Sequence, residues 1–391
     1  MVTKIRFYIF LKDVLWLSLT AFGGPQAHLA MLLERMVKKR RYVTEAELLE
    51  LNALCQILPG PTSTQTIVAI GFTKGGPNLA YLTLLVWMLP AFIVMTTAGV
   101  IIAHLQQQNI STAFTKFIMP IAVGFVAFAA FRISKKVVYT WEGVILMILA
   151  AVVSFFVRSP FIYPLLLLAG GALTAFKFKS QPIEEKDKFK IEWSNFILWG
   201  MVLIFAAVLG GITKALPIRL FENFYRNGSL VFGGGQVLIP FLYTEFVQFK
   251  EYLSSEEFLS GFGLVQAVPG PTFSISAYIG ALSMREYGVG GEILGAFFAS
   301  MGIFLPGTFL IFFVIRFWAA LKKYRIIKAS LEGILAASSG MVITAAILLY
   351  QPIEHSLLNV IIIIATFCIL TFTKIPAPFI IILGLAAGFI L

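Results

Sequence analysis

Two short proline–glycine motifs in this chain of 391 residues could bind an anion without any basic side chain. The first is Pro59-Gly60-Pro61, and the second, Pro269-Gly270-Pro271, lies 210 positions later (269 minus 59). Because proline and glycine interrupt helices, each motif predicts a new helix N-terminus, whose unpaired N–H groups and dipole attract negative charge. Hydroxyl and amide side chains beside the motifs add further hydrogen-bond donors: Gln56, Thr62, Ser63, Gln266, Thr272 and Ser274.

A second pair of motifs repeats with the same separation. Phe22-Gly23-Gly24-Pro25-Gln26 is followed 210 positions later by Phe232-Gly233-Gly234-Gly235-Gln236 (232 minus 22). Two different motifs with one common offset indicate a tandem duplication. We expect all four breaks to contribute to one substrate site, in which Gln26 and Gln236 add amide donors. The alternative is that these glycines and prolines only kink packed membrane helices.

The composition places the chain in a lipid bilayer. Hydrophobic residues make up 59% and charged residues 13% of the sequence, whereas a soluble domain has about 45–50% and about 25%. Several apolar runs reach the roughly 17–25 residues that span a bilayer as a helix. The sequence therefore predicts an all-α polytopic membrane protein. The net charge of +11 falls in short segments between helices, which is typical of cytoplasmic loops rather than of a nucleic-acid-binding surface.

The duplication predicts the domain organisation. Residues 1–176 form the first repeat, residues 177–194 a polar cytoplasmic linker, residues 195–216 a connecting helix, and residues 217–391 the second repeat. Within each repeat the proline–glycine motif separates two short helices. We expect a re-entrant hairpin there, with its tip near the middle of the membrane, because non-helical backbone at that depth must be buried in protein or line a wet cavity.

The basic residues predict how the repeats are oriented. The first repeat has basic clusters at 35–41 and 132–136, while its loop at 106–115 lacks basic residues. In the second repeat the loop equivalent to that one, at 322–328, is basic. Because basic loops are cytoplasmic, the two repeats are expected to be inverted, with about thirteen crossings of the membrane. Whether the short helices at 7–22, 25–37, 217–232 and 236–249 cross or re-enter is left open.

Charged and titratable residues within the membrane segments are candidates for coupling or gating, because such residues are costly in lipid and face a cavity or a partner. His28 lies one turn into a broken helix and could carry a proton, or it could be a hydrogen-bonded packing residue. Some of the charged residues could instead extend to the membrane interface. The charged candidates are Asp13, Glu34, Arg35 and Glu245.

The sequence does not predict an enzyme. Its three His and two Cys have no metal-ligand spacing. It also contains no P-loop, nucleophile elbow or Rossmann glycine pattern. We therefore expect no catalytic residue, no metal, no cofactor and no ATP-driven pump.

The same motifs carry a family resemblance. The segments Phe-Gly-Gly-Pro at 22–25 and Leu-Pro-Gly-Pro at 58–61, with Phe-Gly-Gly-Gly at 232–235 and Val-Pro-Gly-Pro at 268–271, resemble the chromate ion transporter family in its long, two-domain form. The resemblance implies an inner-membrane exporter of chromate that confers chromate resistance. Some relatives are linked to sulfate, so the resemblance leaves the oxyanion open.

These observations lead to one functional hypothesis. Inverted repeats with interrupted helices are typical of secondary transporters. We therefore expect a secondary active transporter that exports a tetrahedral oxyanion, with chromate first and sulfate as a competitor, by alternating access of the repeats. The alternatives are a transporter of sulfate or another oxyanion, and an anion channel with the same helix-end site. The expected partners are the oxyanion and the bilayer, not nucleic acid. The coupling ion and a homodimer are left open.

Overall fold

A computed structural model describes residues 7–22, 24–108, 113–137, 139–176, 191–232, 235–318, 325–373 and 375–390. Within these ranges the chain is helical and has no β-strand, as the sequence predicts. The linker at 177–190 and the glycines Gly23, Gly233 and Gly234 lie outside the described residues.

The first part of the chain contains seven helices, and a single helix follows them. Glycine is required at the kink of the longest of these, α4, because Gly76 has φ of 70° immediately before Pro77. The sequence predicts two helices here, and the structure has them nearly continuous across that kink. The helices are α1 (Phe7–Thr20), α2 (Gly24–Leu32, continued by a π-helical turn Leu33–Lys39), α3 (Glu45–Ile57), α4 (Thr62–Gln107), α5 (Ile118–Val137), α6 (Trp141–Phe156), α7 (Ile162–Ala175) and α8 (Ser194–Thr213).

The rest of the chain repeats the order of α1–α7. A short 3₁₀ turn, Thr272–Ser274, opens the helix after the second proline–glycine motif. The helices are α9 (Leu216–Gly228), α10 (Gly235–Tyr243, continued by a π-helical turn Thr244–Phe249), α11 (Ser255–Ala267), α12 (Ile275–Ser283), α13 (Gly288–Val314), α14 (Arg325–Tyr350), α15 (Leu357–Phe372) and α16 (Ala377–Ile390). In this order α12 and α13 together correspond to α4. The common order supports the proposed division into two repeats, which stays a prediction.

The helix start after each π-helical turn has a capping box, as the local patterns Thr44-Glu45-Ala46-Glu47 and Ser254-Ser255-Glu256-Glu257 predict. Thr44 accepts a hydrogen bond from the backbone of Glu47, whose carboxylate accepts one from the Thr44 N–H at 2.7 Å. That backbone hydrogen bond holds the pKa of the Glu47 carboxyl below its usual range. Ser254 and Glu257 form the same box at the start of α11. The local sequence therefore sets this helix boundary in the same way in both halves.

Five helices within the described residues are long and apolar enough to cross a membrane. The predicted polytopic helical membrane protein is therefore confirmed. The count of about thirteen crossings and the inverted orientation stay predictions. The five segments are Thr62–Gln107, Ile118–Lys135, Ser194–Thr213, Arg285–Val314 and Ala329–Tyr350, and six shorter apolar helices accompany them.

Helices α5 and α6 of the first half pack reciprocally against α15 and α14 of the second half. Gly124 of α5 lies against Ile363 and Thr366 of α15, with no room for a β-carbon. In the reciprocal contact, Gly340 of α14 lies directly against the backbone of Met147 in α6. Positions 124 and 340, and also 147 and 363, are both related by 216. Such reciprocal contacts are what a two-fold axis between two like units produces. We call α5–α7 and α14–α16 the scaffold helices.

Candidate functional site

The two proline–glycine motifs have the same backbone geometry. Gly60 has φ of 120° and Gly270 has φ of 119°, a region that only glycine adopts without strain. Each motif follows a helix that ends in an extended residue, Leu58 after α3 and Val268 after α11. Both motifs are therefore sharp breaks between two helices, as the sequence predicts.

Each break hydrogen-bonds to the other half of the molecule. The Gly60 N–H donates to the Val231 carbonyl at 2.8 Å, and the Gly270 N–H donates to the Ala21 carbonyl at 2.8 Å. Ala21 and Val231 are equivalent positions, 210 apart, and each stands just before a glycine break. The structure thus brings each proline–glycine motif beside the residue that shortly precedes a glycine break of the other half, although these positions are far apart in the sequence.

Helix N-termini with free backbone donors meet at this place. The N–H groups of Thr62, Ser63 and Thr64, in the first turn of α4, have no partner among the described residues. All three residues are buried. Such groups, with the positive end of the helix dipole, form an anion-binding arrangement. The site therefore offers neutral donors rather than a fixed positive charge.

In the second half, the helix that follows Pro271 has a similar but less regular N-terminus. The N–H groups of Thr272 and Phe273 have no partner in the described part of the chain. The Ser274 hydroxyl is buried and also has none there. Gly235, the first residue of α10, lies beside Thr272: a β-carbon on Gly235 would stand 3.1 Å from the Thr272 Cβ. The start of α10 and the start of the Thr272 turn are therefore in contact.

His28 connects a glycine break to the first proline–glycine motif. Its Nε2 is 3.0 Å from the Ala21 carbonyl, so this nitrogen donates, and its Nδ1, at 3.0 Å, accepts from the Ser63 hydroxyl. The ring packs edge-on against Trp87, whose indole N–H donates to the Thr64 hydroxyl at 3.1 Å. The predicted residues His28 and Ser63 are therefore direct partners.

This polar connection occurs in one half only. The positions equivalent to His28 and Ser63 are Leu238 and Phe273, both apolar and buried. The two halves of the candidate site are therefore alike in backbone but different in side chains. A proton-dependent step at this place would depend on the first half alone.

Gln65 is a residue that the sequence reasoning missed. Its side-chain amide donates to the Pro59 carbonyl at 2.8 Å and to the Gly307 carbonyl at 3.1 Å. It thereby ties the first motif to α13 of the other half. The sequence did contain an indication: Gln65 puts an amide in the first turn of α4, whereas the equivalent residue of the second half is the apolar Ile275.

The Asp13 carboxylate is fully buried and is surrounded by hydrogen-bond donors. Its carboxylate accepts hydrogen bonds from Arg35 Nε at 2.9 Å and from the Tyr42 hydroxyl at 2.8 Å, and it pairs with Arg40 Nε at 2.7 Å. The predicted candidates Asp13 and Arg35 are thus partners of each other. The Arg35 guanidinium also lies 4.8 Å from the centre of the Trp16 ring. The arrangement fixes the end of the first π-helical turn against α1.

The second half has an ion pair of reversed polarity at the same place. Glu245, equivalent to Arg35, is buried and accepts from Arg226 Nη2 at 3.1 Å. Arg226, equivalent to Trp16, also pairs with Glu222 at 3.1 Å. The acid is therefore on α1 in one half and on the π-helical turn in the other. Both pairs connect the first two elements of their repeat.

The remaining predicted residues lie apart from this centre or are not described. Glu34 is exposed and pairs with Lys38 at 3.5 Å, which agrees with the interfacial alternative. Gln56 is exposed at the end of α3, and Gln266 is half-buried with its amide nitrogen unpaired among the described residues. The side chains of Gln26 and Gln236 are outside the described part. No group of three potential metal ligands occurs in the described residues.

The chain is similar to known transport proteins over most of its length. A family model described as chromate transporter matches residues 9–175 and 218–389. A probable chromate transport protein of Synechococcus elongatus is 27% identical over 96% of this chain and 93% of its own length. A chromate transport protein of Cupriavidus metallidurans is 25% identical over 85% and 80% of the two chains. An uncharacterized transporter of Methanocaldococcus jannaschii is 27% identical over 98% of this chain and 93% of its own. No solved structure gives a significant match.

The duplicated broken helices and the apolar segments define a multi-pass membrane protein with a candidate site built from helix ends. The family match identifies it further: the chain belongs to the chromate transporter family. The resemblance noted in the sequence is confirmed. The family is one of transporters, which supports ion transport as the general function.

Proposed function

We propose that the protein is a secondary active transporter that exports a tetrahedral oxyanion from the cell, with chromate as the first candidate. The observation that carries the proposal is the reciprocal pairing of Gly60 with Val231 and of Gly270 with Ala21. That pairing gathers free backbone donors from both halves into one buried place. Relatives that are named chromate transport proteins support chromate.

The chemistry of the donors suits a weakly basic dianion. Chromate and sulfate offer four oxygens in a tetrahedron, and several neutral N–H and O–H groups can surround them without a buried counter-ion. The proposed site consists of the four breaks with the side chains of Thr62, Ser63, Thr272 and Ser274. Because neutral donors exchange an anion more readily than a salt bridge does, the site would also release its ligand.

The membrane potential can drive the export of such an ion. Moving one charge through an inside-negative potential of 100 mV is worth about 2.3 kcal/mol, so a dianion gains about 4.6 kcal/mol. That corresponds to a gradient of more than a thousandfold, since each 1.4 kcal/mol is a factor of about ten. Proton or cation coupling is not required for export, although His28 stays a candidate for it.

The transport cycle would use the two halves in turn. A dianion enters from the cytoplasm, is held by the helix ends after Pro61 and Pro271, and leaves after one repeat moves against the other. The proposal includes the inner membrane as the location and sulfate as a competitor for the site. A homodimer is an open alternative.

The experiment is uptake of radiolabelled chromate into inverted vesicles. We expect uptake that sulfate inhibits and that collapse of the potential reduces. Thr62→Val and Thr272→Val together should lower uptake at least about tenfold while the amount of folded protein stays constant, since each removes one hydroxyl donor worth about 1 kcal/mol or more. Unchanged uptake in the double variant would argue against the site. Flux that oxyanion on the opposite side does not stimulate would favour the channel alternative.

A further inference from the structure

The two halves differ in how their second and third helices pack. α10 packs against α14, and α11 packs against α5 and α16. In the described part of the chain, α2 and α3 have no comparable contacts with the scaffold helices. Since the halves share one element order, this difference marks one side of the molecule as closed and the equivalent side as open.

One face of α3 is uncovered as a result. Leu49 is 49% exposed, whereas its equivalent in α11, Leu259, is fully buried. Ala53 is exposed and its equivalent Gly263 is buried. Exposed positions every three or four residues lie along one side of a helix. This face, called the α3 face, consists of Ala46, Leu49, Ala53 and Gln56.

Specific contacts close the other side. Gly263 lies so close to Ile118 of α5 that no β-carbon fits without movement. The Tyr163 hydroxyl of α7 is 2.6 Å from the Thr244 hydroxyl, and its ring stacks on Phe241 with centroids 4.6 Å apart. The second-half helices are therefore held on the scaffold by close packing and by a buried hydrogen bond.

The equivalent positions on the open side are separated. Phe379 of α16, equivalent to Tyr163 by an offset of 216, is 60% exposed. Glu34, equivalent to Thr244 by the offset of 210, is exposed as well. Ile334 of α14 is equivalent to Ile118, but its side chain packs here against Gly171 of α7, so docking of α3 on it also requires α7 to move. Gly263 contacts Ile118, but the equivalent residues of the other half, Ala53 and Ile334, do not contact each other.

We infer that the structure is one of two states, and that in the other state the α3 face packs on α14 around Ile334 while α11 leaves α5. The inference rests on the proposed function, in which the two repeats exchange roles during transport. Packed interfaces are bistable rather than continuously deformable, so the two docked arrangements alternate. The open side adjoins the basic run Lys38–Arg41, which places it toward the cytoplasm. The state seen is then the one that loads substrate.

Disulfide trapping tests the closed contact first. In a background with Cys55→Ala and Cys368→Ala, the pair is Gly263→Cys with Ile118→Cys. A β-carbon on residue 263 would stand 3.6 Å from the Ile118 Cβ, within the roughly 3.5–4.5 Å that a disulfide requires. We expect rapid cross-linking on oxidation and loss of transport that a reductant reverses.

The second pair tests the state that is not seen. Ala53→Cys with Ile334→Cys should cross-link at least about tenfold more slowly than the first pair, because a minor state is populated at about 0.1–10%. It should still cross-link clearly faster than the control pair Gly263→Cys with Ile334→Cys, which meets in neither state. Cross-linking needs no substrate. If the protein does not transport chromate, the proposed function is overturned, but the cross-linking rates of the pairs still test the inference of two states.

Labelling from each side keeps the test valid if a cysteine pair misfolds. A membrane-impermeant thiol reagent should modify Ala53→Cys in inverted vesicles, and Ser260→Cys should react at least about tenfold more slowly in right-side-out vesicles, where the reagent reaches the side of α11. Equal labelling of the two, or cross-linking of Ala53→Cys with Ile334→Cys at the rate of the control pair, would overturn the inference. Transport that survives full oxidation of the first pair would overturn it too.

Discussion

Replacing the glycines at the two breaks tests whether their backbone geometry holds the candidate site together. A residue with a side chain at φ near 120° is strained by about 1–3 kcal/mol, so Gly270→Ala should lose at least that much stability, because its new β-carbon would also stand 3.1 Å from the Ala91 Cβ. Gly60→Ala should lose more, because its new β-carbon would stand 3.0 Å from Gln65 Nε2 and 3.3 Å from Gly307 Cα. Displacing Gln65 breaks two hydrogen bonds of about 0.5–1.5 kcal/mol each. The total for Gly60→Ala is about 2–6 kcal/mol.

Substitutions at two other glycines distinguish the effect of backbone strain from the effect of steric contact. Gly288 has φ of 68° with nothing within 4 Å of a new β-carbon, so Gly288→Ala measures strain alone. Gly200 lies in α8 with the same free space and no positive φ, so Gly200→Ala should be neutral or stabilise by up to about 1 kcal/mol. The assay is thermal unfolding of the purified protein in lipid nanodiscs, with chromate uptake measured in parallel. Equal stability of Gly60→Ala and Gly288→Ala would refute the role assigned to Gln65.

Further predictions concern the buried charge and the histidine. Asp13→Asn should destabilise the protein by about 3 kcal/mol in the same unfolding assay, because its cationic partners lose a buried counter-charge. Glu34→Gln removes one partner of an exposed ion pair and should lower the stability by less than about 1 kcal/mol. Equal losses of stability in the two variants would contradict the role assigned to burial of Asp13. His28→Leu should remove any step in the pH profile of chromate uptake that depends on protonation of this imidazole. A step that persists in that variant would exclude His28 as its source.

Features that depend on neighbouring residues could be predicted from the sequence. The capping boxes at Thr44 and Ser254 and the breaks at Gly60 and Gly270 are local, because cap side chains and glycine torsions act within a few residues. The duplication was visible because both motifs kept one offset. The π-helical turns were not predicted, since nothing in the local pattern distinguishes them from ordinary helix.

Features that depend on contacts between distant segments required the tertiary structure. The sequence contained Asp13, Arg35 and Tyr42 but did not show that one carboxylate binds both side chains, because that contact depends on how the π-helical turn folds back onto α1. The reciprocal bonds of Gly60 and Gly270 likewise join positions about 170 and 250 residues apart.

The sequence by itself determined that this is a duplicated helical membrane protein whose helices break at four glycine-containing motifs, because composition and local backbone preference decide those properties. The tertiary structure decided that each proline–glycine break bonds to the other half, that His28 binds Ser63 in one half only, and that α11 is docked on the scaffold helices while α3 is not. Nearly identical motifs have different surroundings in the two halves, and packing alone, not propensity, distinguishes a docked helix from an exposed one.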